Sequence, residues 1–94
     1  MEFEWDTDKA EASLKKHGVG FDEAITVFDD LLAKIVNDEK HSGNEKREII
    51  IGHSAANKLL FVCFTERETG KLRIISARKL TATERKDYEE NADF

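Results

Sequence analysis

The sequence predicts an α+β domain: a small, mostly antiparallel sheet with two N-terminal helices and a short C-terminal helix, ordered β-α-α-β-β-β-β-α. Three observations carry that expectation. Leu59 to Phe64 is an unbroken apolar run, the pattern of a strand covered on both faces. A turn around Thr69-Gly70 then leads into a return strand through Arg73 to Ala77. Thr81 with Glu84 three residues later forms a capping box, so a short helix starts there and runs to about Glu90.

The remaining elements follow from spacing. Phe3 and Trp5 alternate with Glu2, Glu4 and Asp6, a half-buried strand in which Trp5 anchors the core. Asp6, Thr7 or Asp8 can cap the next helix, whose Ala10, Leu14 and His17 share a face and whose stop is Gly18. Phe21, Ala24, Ile25 and Phe28 keep the i, i+3, i+4, i+7 spacing of a second helix, entered through Gly20. Leu31 to Val36 reads as a strand with Lys34 outward. Asn37 to Asn44 is polar and aperiodic, a mobile loop. Arg47 to His53 makes the next strand, and Asn57 suits a positive φ in the turn that follows. Asn91 to Phe94 are expected to fray.

Ninety-four residues make one domain, 1–94, with one small core burying about two thirds of the unfolded surface. The single cysteine, Cys63, lies in the most apolar run and reads as a buried thiol without a disulfide. With neither a membrane-length apolar run nor a basic-plus-apolar leader, the chain is expected to be soluble and cytoplasmic. The net charge of −5 hides a division. Residues 1–44 hold five Lys/Arg against eleven Asp/Glu, residues 45–86 hold ten against five, and the last eight hold none against four. The basic segment can meet an anionic partner while the acidic remainder weakens nonspecific attraction.

Candidate chemistry gathers on the long hairpin. Arg67 and Arg73 flank its turn. If Thr69-Gly70 is a two-residue loop, Glu66 faces Arg73. If Glu68-Thr69-Gly70 is a three-residue loop with Gly70 left-handed, Arg67 and Arg73 share a face. The second register is favoured, because Thr is a poor first residue in a two-residue primed turn. Arg47 is expected at the same level, which groups Arg47, Arg67 and Arg73 with Glu66 at one end of the sheet. Arg78 lies five residues past Arg73, roughly 16 Å at a rise of ~3.3 Å per residue, and is a second contact unless strand twist closes the gap. Such a set suits RNA cleavage, in which the 2′-OH is an internal nucleophile. Guanidiniums stabilise phosphorane charge, and Glu66 or His17 can remove the proton, with no metal or cofactor required. The catalytic candidates are therefore Glu66, Arg67, Arg73, Arg78 and His17, with Lys46, Arg47, Lys79 and Arg85 as RNA contacts. Structural roles compete: Glu66 can merely neutralise Arg73, and His17 complements a helix C-terminus. His41 and His53 rank behind His17, and the three histidines have no metal-ligand spacing.

With these residues in place, the sequence resembles the BrnT-type ribonuclease toxins of bacterial type II toxin–antitoxin modules. The resemblance runs from about residue 3 to 90. It is carried by Phe3-Glu4-Trp5-Asp6 with Lys9-Ala10 and Lys16-His17-Gly18-Val19, then Phe21-Asp22-Glu23-Ala24 and Val27-Phe28-Asp29-Asp30. His41-Ser42, Glu45, Arg47 and Ile51-Gly52 form its middle block. Thr65-Glu66-Arg67, Arg73 to Arg78, Thr81, Glu84-Arg85 and Tyr88 form its end. The resemblance implies a RelE-like fold and metal-independent endoribonuclease activity. It also implies a cognate BrnA-like antitoxin with a DNA-binding domain, forming a heterotetramer that reaches operator DNA only through the antitoxin. Ser13 stands where the family pattern has Asn, and Gly20 where a small polar cap is common. Together with the acidic balance, Ser13 motivates the alternative of a catalytically degenerate module that binds RNA or antitoxin.

Overall fold

Burial on both faces makes the Leu59 run the middle strand of a sheet. The computed structural model describes residues 1–91. Its strands are β1 (Phe3–Trp5), β2 (Lys34–Asn37), β3 (Glu48–His53), β4 (Leu59–Glu66) and β5 (Leu72–Lys79); its helices are α1 (Thr7–His17), α2 (Phe21–Ala24) and α3 (Ala82–Glu90). The expected element order and α+β class hold. The sheet order is β1-β5-β4-β3-β2. All neighbours are antiparallel except β1, which runs parallel to β5 and pairs only with Leu72, Arg73 and Ile74. Of the fraying expected after Glu90, residues 92–94 lie outside the described residues.

One face of the sheet is the core. Ile50, Val62, Phe64, Ile74 and Ala77 pack there against Val19, Phe21, Ala24 and Val27. Phe28 meets Phe64 edge-on and Phe3 at a tilt, both at centroid distances of 5.0 Å, avoiding the face-to-face sandwich that aromatic rings disfavour.

Helix α1 begins as expected, with the Asp6 carboxylate accepting from the N–H groups of Asp8 (2.8 Å) and Lys9 (3.2 Å). It ends at Gly18, left-handed at φ 69°. Its inward face departs from the expected one. Leu14 is 57% exposed and His17 is exposed, while Ser13 is the buried residue. Gly18 turns the chain sharply, so Val19 and Phe21 take the core space that Leu14 was expected to fill. Ser13 Oγ instead reaches the carbonyls of Val19 (2.8 Å) and Ala77 (2.9 Å), sharing one proton between them.

The second helix is α-helical for one turn and then tightens to a 3-10 helix over Ile25–Asp29. Three residues per turn bring Val27 in line with Ala24, so Val27 enters the core completely while Phe28 only packs against it. Strand β2 starts later than expected. The Asp30 carboxylate accepts from the Leu32 N–H at 3.0 Å and the Asp30 carbonyl from Ala33 at 3.1 Å, a turn that leaves Leu31 and Leu32 outside the sheet. Asn57 takes its positive φ of 61°.

Candidate active site

The second face of the sheet is only partly roofed. Register places Ile49, Cys63 and Ser76 in one cross-strand row and Ile51, Phe61 and Arg78 in the next. An extra residue in β5, Ile75, bulges where Cys63 pairs with Ser76 and Phe64 with Ile74. Helix α3 covers one side. Its capping box is present, and Tyr88 Oη donates to the Leu32 carbonyl at 3.3 Å.

The expected mobile loop forms the other side, and it is tied at its neck. Asp38 N–H donates to the Arg47 carbonyl at 2.9 Å. Ser42 Oγ donates to the Asp38 carbonyl at 2.6 Å and accepts from the Arg47 N–H at 3.0 Å. A 3-10 turn over Glu39–His41 then brings His41 back over Asp38.

Between these walls lies an open groove of about 420 Å³, lined by Asp38, His41, Arg47, Cys63, Ser76 and Arg78 among others. Both Asp38 carboxylate oxygens lie 3.1 Å from His41 Nδ1. With the proton on Nδ1, Nε2 is left as a free acceptor. Arg78 lies flat over the Phe61 ring, 4.1 Å from its centroid, and its fork grips Glu84 at 2.7 and 3.0 Å. That grip holds the Glu84 carboxyl well below its ordinary range, at about 2, and raises the Arg78 pKa. Arg47 is different. Its Nε is buried without a hydrogen-bond partner, and its terminal nitrogen is only loosely placed 3.9 Å from Glu45. An orphaned buried donor on a cation is costly, and the rest of this side chain, 34% exposed, has only that loose carboxylate contact. Cys63 is the floor. Burial, then the Asp38 charge, pushes its pKa up, so it remains a thiol at neutral pH.

The residues singled out from the sequence are distributed as follows. The hairpin turn has the three-residue form, with Gly70 at φ 86° and Arg67 N–H donating to Lys71 at 2.8 Å. Glu66 consequently pairs opposite Leu72, and Arg73 opposite Thr65. Glu66 and Arg67 line a separate depression with Glu45 and Glu68. Arg67 lies 3.7 Å from Glu45, and Arg73 is taken by Glu4 at 2.7 Å. The expected single group of Arg47, Arg67, Arg73 and Glu66 is thus divided: Arg47 lines the groove with Arg78, and Arg67 touches it only through Glu45. His17 lies across β5 in another groove, with Lys9 and Lys16. Lys46 gives its carbonyl to Thr65 Oγ1 (2.7 Å), Lys79 pairs opposite Leu60, and Arg85 meets Glu89 on exposed α3 (3.6 Å). His41, ranked behind His17 from the sequence, lies in the groove with Asp38, which the sequence did not single out. Their i, i+3 spacing was the available signal, hidden by a segment with no periodicity. Among the described residues no three His, Cys, Asp or Glu side chains converge as a metal site, and no helix is long and apolar enough to cross a membrane.

Fold and groove define a small α+β domain with a cleft of arginine, histidine and carboxylate on its open sheet face. The same architecture occurs in the 1.1 Å crystal structure of the Brucella abortus ribonuclease toxin BrnT, with a TM-score of 0.67 and 25% identity over 86% of this chain and 97% of that one. No curated protein matches the sequence. The family described as ribonuclease toxin, BrnT, of type II toxin–antitoxin systems matches residues 5–84, and the chain belongs to that family. It is a toxin of a type II toxin–antitoxin system, of ribonuclease type.

Proposed function

We propose that the chain cleaves RNA in the Arg47–Arg78 groove by internal attack of a 2′-OH, without a metal. The observation that carries this reading is the loosely paired, partly exposed Arg47 guanidinium lining one groove with the Asp38–His41 pair. A phosphate oxygen accepts from the Arg47 guanidinium, whose side chain is one-third exposed and only loosely paired, and the Arg78 cation, its fork held by Glu84, adds charge beside a second oxygen. His41 Nε2 takes the 2′-OH proton, and Asp38 stabilises the imidazolium that results. The 2′-oxygen bonds to phosphorus and the phosphorus–5′-oxygen bond breaks. The leaving oxygen takes its proton from water admitted by the open groove. Arg67 and Arg73 are outer contacts for the RNA on either side, because each already has a carboxylate beside it.

The products define the test. Fragments should end in 2′,3′-cyclic phosphate and 5′-OH, in the presence of a chelator, and His41→Ala should lower the cleavage rate by about 10²–10⁴-fold. Intact RNA at every pH, with binding retained, would establish the second reading, a degenerate module that binds RNA or antitoxin. The ion pairs already made by Arg73 and Arg78 favour that alternative to the extent that they neutralise phosphate ligands.

The family implies an antitoxin. We further propose that it is BrnA-like and bears the DNA-binding domain. In this reading it inhibits by laying an acidic or amphipathic segment against Arg47, Arg67, Arg73 and Arg78, within a cytoplasmic heterotetramer. Operator DNA is then reached only through the antitoxin.

A further inference from the structure

We propose a second phosphate-binding subsite across β5 from the groove, formed by Lys9, Lys16 and His17, so that the substrate is a single-stranded RNA segment that crosses the Ile75–Ser76 bulge. The proposal rests on the ribonucleolytic reading of the groove and names the substrate class for it.

Four observations converge. First, Lys9, Ala12, Ser13 and Lys16 stand at i, i+3, i+4 and i+7, one face of α1, and with His17 they line a groove of about 210 Å³. No carboxylate lines it. Glu11 and Asp22 line a different depression with Trp5, and Asp6 and Asp8 sit at the helix start. Second, this groove and the Arg47–Arg78 groove share Ile75 and Ser76 as common walls. The two are neighbours separated by the width of one strand. Third, that strand is low at this point. β1 pairs only with Leu72 to Ile74, so among the described residues β5 has no neighbouring strand beyond Ile74 on that side. Fourth, Ser13 fixes α1 to this edge through the Ala77 carbonyl at 2.9 Å, which holds the lysine face at a set distance from β5.

A chain of phosphates can therefore pass from one cationic groove to the next. Its bases meet small or apolar side chains at the crossing, Ala12, Ile75 and Ser76. A duplex is too broad to enter both grooves, whereas a single strand bends over the bulge. The negative total charge does not oppose this, since screening beyond about 8 Å at physiological salt makes the local balance decide.

The test uses the full chain and 2′-O-methyl oligonucleotides of 2, 4, 8 and 12 residues, which carry the phosphates but cannot be cut by 2′-OH attack. Affinity should rise with length for the unaltered protein. Lys9→Glu with Lys16→Glu should flatten that rise, cutting 12-mer affinity by about tenfold or more, and Lys9→Ala with Lys16→Ala should act in the same direction. The Ala pair should also lower the slope of log affinity against log salt by about 1.4, given ~0.7 per phosphate contact on single strands. Thermal melting controls for folding, and both lysines are exposed. If no RNA is ever cleaved yet these length effects appear, the subsite stands and the ribonucleolytic reading falls. If cleavage occurs but the variants bind all lengths as the unaltered protein does, the subsite is wrong. Equal losses at every length would overturn it too, as would a loss confined to antitoxin binding, which would assign this face to a protein partner.

Discussion

At the Arg47–Arg78 groove two guanidiniums and an imidazole are arranged over an apolar floor, and at the hairpin tip Arg67 sits among Glu45, Glu66 and Glu68. Both regions hold arginines that the sequence offered for phosphate, although Arg47 was expected at the tip and Arg78 apart from it. They differ in what the carboxylates do. In the groove Asp38 orients His41 and Glu84 braces Arg78, each through short hydrogen bonds. At the tip three acids surround one cation and the nearest pair is 3.7 Å apart, too long for a good hydrogen bond. In the proposed reading, acids at the groove orient the groups that act on RNA, whereas acids at the tip repel it. Counting arginines does not distinguish the two, but tracing each arginine's partner does.

The largest expected difference follows from that contrast. Arg47→Ala removes the loosely paired guanidinium and should lower RNA cleavage by about 10²–10³-fold, the usual loss when one preorganised donor to developing charge is removed. Arg67→Ala should lower it by no more than about threefold, as expected of a screened outer contact. Initial rates on one RNA at fixed salt decide between them. Similar losses in the two variants would erase the distinction and return the active site to the hairpin tip.

A smaller effect, on stability, separates the braced arginine from the loose one. The Arg78 grip keeps Glu84 at about 2 against an ordinary 4.5. A carboxyl with a lowered folded-state pKa contributes stability that is present above its unfolded pKa and lost as pH falls through the folded value. Glu84→Gln retains an acceptor for the capping box, so it isolates the charge. It should destabilise the fold by about 1 kcal/mol at pH 7 and by progressively less between pH 4.5 and about 2. Glu45→Gln, beside Arg67, should change stability by less than about 0.5 kcal/mol at any pH. Urea unfolding at pH 7, 5 and 3 measures both. A Glu84→Gln penalty that persists unchanged at pH 3 would mean that packing of the side chain, not its charge, braces Arg78.

The fold was legible where one signal dominated locally. The β4 run, the Thr81–Glu84 box, the Asp6 cap, Gly18 and the Gly70 turn all act within a few residues, and all stand where their residue types demand. Leu14 was misjudged because amphipathic spacing says which residues share a face, not which face a neighbouring segment will cover. The parallel pairing of β1 with β5 joins segments about 70 residues apart, and no local pattern encodes it. The site was legible in its residue types and not in its grouping. Arg47 and Arg78 are 31 positions apart and meet only because β3, β4 and β5 are adjacent. His41 was set aside because its loop has no periodicity. The hydrogen bonds that order this loop run from Ser42 to Asp38 and Arg47, side-chain chemistry that periodicity does not register.

The smallest effect tests the electrostatic half of the comparison by itself. Glu45 stands between the two regions, 3.9 Å from Arg47 and 3.7 Å from Arg67. Neutralising it as Glu45→Gln removes a charge that repels phosphate and loosely holds both guanidiniums, without removing a donor. A gain of about 0.5 kcal/mol is the scale of an exposed pair, which is about a twofold rise in RNA affinity. Because Glu45 is half exposed, the gain should be visible at 50 mM salt and gone at 0.5 M, where screening acts within a few ångströms. Glu66→Gln should gain less, since Glu66 is exposed opposite Leu72 and lines the tip rather than the groove. Fluorescence anisotropy with a 2′-O-methyl oligonucleotide reads affinity free of cleavage. Equal gains from the two variants would mean that RNA senses only the summed charge of this end of the molecule. A larger gain from Glu45→Gln would mean that the phosphate reaches Arg47 itself, beside which Glu45 stands at 3.9 Å.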